Sequence, residues 1–227
     1  MRQPSIIRTW NRDAADEEAM GAAHAPIWRR MIDVSVYEDL RHSTVLDYGC
    51  NQGGFLRMLY DRHPFRAATG IDIARDSVDR AELLKGQRPI DYRVSESAGA
   101  LGLTFDFAFS HEVLYLLPDL AAHASDIKSA LKPGGTYVAA MGCHKDSALW
   151  PHWRKLIAET SSIPLHDHSL DSVAKAFSDA GFHVGVRPLD LDAFMPVTVG
   201  SEYFPKVVDQ LRYYSQDKVL FRFVRAP

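Results

Sequence analysis

A mostly parallel β-sheet with helices on both faces is the architecture this chain encodes. Short apolar strands alternate with helical patterns between residues 44 and 142. No internal repeat, low-complexity tract or Pro/Gly-rich linker divides the chain. Its 227 residues, 46% of them hydrophobic, suit one well-filled α/β domain.

Residues 1–40 are expected to be helical, with Trp10, Ile27, Trp28 and Met31 as apolar anchors, and to lie outside the sheet as a cap. "TVLDY" (44–48) reads as a buried strand, and Phe55, Leu56 and Leu59 then fall at helical spacing. "AATGIDI" (67–73) is a second strand, followed by a helix carrying Val78, Ala81 and Leu84. "IDYRVS" (90–95) and "TFDFAFS" (104–110) are the third and fourth. Leu120, Ala124, Ile127 and Leu131 mark one face of a helix that "PGG" (133–135) should stop, and "TYVAAMG" (136–142) is the fifth strand. Pro151 suits the first turn of a helix over "PHWRKLIAET". Ser169 suits the cap of another, bearing Leu170, Val173 and Phe177 and ending before Gly181. "FHVGVRPLD" and "KVLFRFVR" are two further strands, and the long connection before the last allows it to run antiparallel.

The composition narrows the function. A net charge of −3 gives no electrostatic footprint for nucleic acid. Two cysteines, Cys50 and Cys143, form no disulfide framework and suit a reducing compartment. The N-terminal stretch lacks a signal-peptide core, and no run of about 18 apolar residues could span a bilayer. A cytoplasmic protein with no membrane partner is the expectation. His144, His152, His166 and His168 carry no ligand-pair spacing, so no metal is expected.

The informative stretch is "VLDYGCNQGG" (45–54), a strand running into a glycine-rich turn. Dinucleotide turns read G-x-G-x-x-G and seat a pyrophosphate on the helix N-terminus. Here Gly49-Cys50-Asn51-Gln52-Gly53-Gly54 lacks the middle glycine, and Asp47 stands two residues before Gly49. A carboxylate there would repel a pyrophosphate and suit a ligand bearing an ammonium and a sulfonium, as S-adenosylmethionine does. Asp72, at the end of the second strand, can accept from both ribose hydroxyls. Taken alone, Asp47 could simply cap a turn and Asp72 a helix.

With these residues in series the chain resembles the class I S-adenosylmethionine-dependent methyltransferases of the small-molecule type. The resembling stretches are "VLDYGCNQGGFL", "GIDIARDSVDRA", "FDFAFSHEVLYLL" and "LKPGG", in the family's order, within residues 41–142. The resemblance implies a Rossmann-like, seven-stranded sheet with an antiparallel last strand. It implies a cofactor-binding half over 41–142 and an acceptor-side half over 143–227. Gly49, Cys50 and Gly53 would floor the cofactor site, with Asn51 replacing a common glycine. Asp47 would meet the methionine amino group and Asp72 the ribose. Ile73 would pack on the adenine, Glu96 would accept from its amine, and Ser110 would lie beside the methionine moiety.

Methyl transfer is an in-line displacement that needs alignment and exclusion of water, with a base only for a protic acceptor. His111 is the candidate base, and Glu112 reads as holding a helix start. Trp10, Trp28, Trp150, Trp153, Tyr203, Phe204, Tyr213 and Tyr214 could line the site of an apolar, planar or lipidic acceptor, or could be packing alone. A nicotinamide oxidoreductase and a non-catalytic S-adenosylmethionine binder are the competing readings.

Overall fold

Seven strands form one sheet in the order β3-β2-β1-β4-β5-β7-β6. The structure is a computed structural model and describes residues 7, 9–10, 14–191, 194–197 and 200–227, with side chains from residue 20 of the first helix onward. The strands are β1 (Thr44–Tyr48), β2 (Ala67–Asp72), β3 (Ile90–Val94), β4 (Phe105–His111), β5 (Leu131–Met141), β6 (Phe182–Pro188) and β7 (Val219–Arg225). The first five pair in parallel. β7 lies antiparallel between β5 and β6, as its long connection suggested.

Helices α1 (Ala14–Ser35), α2 (Gly54–Arg62) and α3 (Arg75–Leu84) cover one face. Helices α4 (Leu120–Ala130), α5 (Trp150–Thr160) and α6 (Leu170–Asp179) cover the other, and a short α7 (Val207–Arg212) precedes β7. Strand alternation feeds both cores: Val45 packs under α1 and α2, whereas Leu46 packs under α4. The helix starts follow their caps. Asp119 accepts from the backbone of Ala121 and Ala122 at 2.9 Å, and Ser169 and Ser172 form a reciprocal capping box. Gly181, at φ +87°, ends α6.

Two expectations change. "LKPGG" is not a gap between helix and strand: β5 begins at Leu131, and its register against β4 shifts between Phe105 and Phe107. The shift is a bulge, which tolerates a proline inside a central strand. The cap is also more than an appendage. Ile27, Met31 and Ile32 of α1 are buried in the core above α2, so its second half is integral to the domain. Pro26 lies inside α1 and removes one of its backbone bonds. Of the stretch before α1, only residues 7, 9 and 10 lie within the described part. There the Ile7 carbonyl accepts from Arg75 N at 3.1 Å and the Trp10 carbonyl from Ser162 N at 2.9 Å. These two bonds reach the start of α3 and the end of α5. Among the described residues no helix is long and apolar enough to cross a membrane.

Candidate functional site

The turn after β1 is held by its neighbours. Gly49 N and Cys50 N both donate to the Ile71 carbonyl, at 2.8 and 2.9 Å. Gly49 (φ +75°), Asn51 (φ +45°) and Gly53 (φ +72°) are left-handed. Asn51 tolerates this better than other side chains, and its Oδ1 accepts from Gln52 N at 2.6 Å. A Cβ on Gly49 would run into Val113 and one on Gly53 into the Tyr92 ring, so both glycines are required by space as well as by φ.

Asp47 and Asp72 stand on either side of this turn. Asp47 is 3% exposed, and its Oδ2 is buried without a hydrogen-bond partner. Burial, with the Asp72 carboxylate second, pushes its carboxyl up to about 8. Asp72 is half-buried. Its Oδ2 accepts from Asn51 N and its Oδ1 from Ala74 N, both at 2.9 Å. It therefore ties the turn to the start of α3. Once ionised, the orphaned Asp47 carboxyl can only accept, which fits an ammonium group and disfavours a phosphate. On this observation the residues present suit S-adenosylmethionine.

The other expected cofactor residues are placed less uniformly. Cys50 is buried, its thiol pushed up by burial and by Asp72 and Asp47. Ile73 is half-buried at the start of the β2–α3 loop. The Glu96 side chain is exposed, while its carbonyl accepts from Tyr48 Oη at 2.7 Å. The loop after it is pinned by Asp126 of α4, which accepts from Ser97 Oγ, Ala98 N and Gly99 N at 2.5, 2.7 and 2.9 Å. Ser110 is 1% exposed, and its hydroxyl shares a 2.6 Å bond with Tyr137 in the core under α4 and α6. Asp47 has the opposite strand parity, so what Ser110 can offer a ligand on that face is its backbone.

At the end of β4 the structure assembles a cluster that no motif announces. His111 Nδ1 faces the indole Nε1 of Trp28 at 3.2 Å, and its Nε2 faces Lys218 Nζ at 3.0 Å. His24 of α1 meets the same ring edge-on, with centroids 4.5 Å apart. Burial, then Lys218 and then His24, hold the His111 imidazole well below the usual histidine range. Glu112 does not hold a helix start. It sits at φ +55°, and its carboxylate pairs with Lys218 and accepts from Cys143 N. The short 3-10 turn that follows, Leu114–Leu116, has no side-chain cap. Burial works to raise the Glu112 carboxyl, but Lys218, His24 and the Cys143 N–H together outweigh it and the net shift is downward. Lys218 itself is 1% exposed.

The aromatic residues gather beside this cluster. Trp153 packs edge-on to Tyr213 at 4.5 Å and to Phe204 at 5.3 Å, and Tyr115 meets Trp150 at 5.7 Å. Among the described residues no group of three His, Cys, Asp or Glu side chains is arranged to hold a metal.

Known proteins resemble this chain in sequence and in fold. Residues 20–185 match the profile of a methyltransferase-domain family. A 2-methyl-6-phytyl-1,4-hydroquinone methyltransferase of Synechocystis sp. is 34% identical over 118 residues, covering 50% of this chain and 37% of that protein. A ubiquinone biosynthesis O-methyltransferase of Paramagnetospirillum magneticum is 36% identical over 111 residues, 48% of this chain and 44% of that one. The matched stretch thus spans less than half the length of either relative. Among solved structures, a Haloferax volcanii methyltransferase in complex with the Trm112 activator shares the fold, with a TM-score of 0.80 at 23% identity over 94% of both chains. A geranyl diphosphate C-methyltransferase of Streptomyces coelicolor shares it with a TM-score of 0.67 at 17% identity, covering 100% of this chain and 92% of that one.

Proposed function

The chain belongs to the methyltransferase-domain family, and from that premise we propose that it transfers a methyl group from S-adenosylmethionine to an apolar, protic small molecule. The observation that carries the reading is the buried Asp47 carboxyl with an orphaned oxygen beneath the glycine turn. An acidic group pushed up to about 8 has no structural partner to explain its burial, and a ligand ammonium supplies one. Bound there, S-adenosylmethionine contributes an electrophilic methyl on sulfur.

The residues of the chain do the rest. Gly49, Cys50, Asn51 and Gly53 give a floor that a ligand can approach closely, and Asp72 accepts from the ribose while holding the turn. Ile73 packs on the adenine, with Glu96 and the Ser110 backbone completing the reading. The acceptor side is the edge formed by His111, Glu112, Cys143, Tyr213 and Lys218. His111 serves it as a neutral imidazole, a poor proton sink, so its role is to position the acceptor. The aromatic wall of Trp153, Phe204 and Tyr213 agrees with the hydroquinone named for one relative. Incubation with S-adenosylmethionine and a panel of phenols and hydroquinones tests the activity. Acceptor-dependent release of S-adenosylhomocysteine supports it, and binding without any turnover across the panel points to a non-catalytic binder.

Helix α1 closes this site from outside the sheet. Hydrogen exchange over residues 20–35 is expected to slow when S-adenosylhomocysteine is added, because His24 and Trp28 rest on His111. Slowing confined to residues 45–75 would show that α1 takes no part in closing the site.

A further inference from the structure

The cluster at the end of β4 holds one hydrogen-bond donor too many. Trp28 Nε1 can only donate, and it points at His111 Nδ1 at 3.2 Å. A neutral imidazole accepting at Nδ1 carries its hydrogen on Nε2. That nitrogen faces Lys218 Nζ at 3.0 Å, and Lys218, paired with the Glu112 carboxylate, presents only hydrogens as an ammonium. The other tautomer moves the conflict to the Trp28 contact, and an imidazolium creates both conflicts. A buried N–H without an acceptor is costly, so the arrangement calls for an acceptor atom from outside the chain.

We propose that His111 Nε2–H and Lys218 Nζ together seat an anionic oxygen, a phenolate or carboxylate, of an aromatic methyl acceptor. This deepens the reading above and rests on it for the reaction. An oxygen placed to one side of the pair, within hydrogen-bond reach of each nitrogen, accepts from both and leaves the Trp28 bond intact. Three further observations point the same way. Glu112, a non-glycine residue at φ +55°, is held in a strained conformation, and such outliers gather at ligand sites. Lys218 follows directly on a π-helical turn, Tyr213–Asp217, another feature frequent at functional sites. The Lys218 nitrogen also lies 5.9 Å from the centre of the Tyr213 ring, inside the aromatic wall. The seat belongs to the acceptor because Lys218 immediately precedes β7. In the sheet order that strand is separated from β1, with its Asp47, by β4 and β5.

The probes are 4-nitrophenol, whose absorbance reports its ionisation, and benzoate. Each is titrated into the full chain with and without S-adenosylhomocysteine. The wild-type protein should bind both and lower the apparent pKa of bound 4-nitrophenol by about one unit. The double variant Lys218→Met/Glu112→Gln removes both charges together and leaves neither buried alone. It should bind both probes at least roughly tenfold more weakly and leave the ionisation of 4-nitrophenol unchanged. A readout on the wild-type protein alone is the 15N resonance of His111 Nε2, which should move on adding either probe. Equal binding by wild type and variant, or an unmoved Nε2 resonance, overturns the proposal. So does a variant that loses S-adenosylhomocysteine but keeps 5′-methylthioadenosine, since the seat would then hold the methionine carboxylate. Failure of the wild type to bind either nucleoside counts against the methyltransferase reading and leaves the probe titrations to judge the seat.

Discussion

Asp47→Asn is expected to abolish two pH dependences of opposite sign at once. In the ligand-free protein burial pushes the Asp47 carboxyl up to about 8, against about 3.9 in an unfolded chain. A carboxyl whose folded value is raised contributes stability that is full below the unfolded value and lost as pH climbs through the folded one. The wild-type protein should therefore lose stability between about pH 4 and 8, by about 2–4 kcal/mol from this group, or of order 10 °C in melting temperature. The amide of the variant does not titrate, so the variant should lose that much less and melt higher than wild type at about pH 8. Binding should run the other way. A ligand ammonium needs the carboxylate, so wild-type affinity for S-adenosylhomocysteine should rise roughly tenfold per pH unit from about 6 to 7 and level off above about 8. The variant should show no such rise and bind about 10- to 150-fold more weakly at the upper end of that range. Melting curves and calorimetric titrations across this pH range decide it. Wild-type binding that ignores pH would remove Asp47 from the ligand site.

Asp72→Ala carries the second large effect. Loss of two hydrogen bonds to a charged acceptor, partly replaced by water, should weaken S-adenosylhomocysteine binding by about 2–3 kcal/mol, or roughly 30- to 150-fold. The structure adds a cost that the ribose role alone does not contain. The same carboxylate accepts from Asn51 N and Ala74 N, so the variant should also melt several degrees lower without ligand. Asp72→Asn keeps one acceptor oxygen and should fall between. A variant that melts lower yet binds as wild type would leave Asp72 as a structural clamp alone.

The alternation of strand and helix is legible in the sequence because local pattern decides it: β1 to β4 and the Ser169 cap fall where period and capping chemistry place them. What is not legible depends on partners far along the chain. Nothing near Lys218 marks it as buried. A lysine ahead of "VLFRFVR" looks like a solvated strand end, and only the placement of β7 beside β5 brings it to Glu112, 106 residues away. Glu112 reads as a helix start because a left-handed backbone at a glutamate has no sequence signature. The bulge in β5 hides for a similar reason, since "PGG" reads as a stop in any local window. Ser110 is the exception. Strand parity alone separates it from His111, and parity can be counted along "FDFAFSH" itself.

If the glycine turn of this chain holds S-adenosylmethionine, calorimetric titration of the folded wild-type protein near pH 8, where Asp47 is about half ionised even without ligand, will register it. Titrated side by side, S-adenosylhomocysteine and S-adenosylmethionine should bind in the micromolar range and NAD should give no heat. A response to NAD with none to either S-adenosyl compound would contradict the methyltransferase reading of the turn.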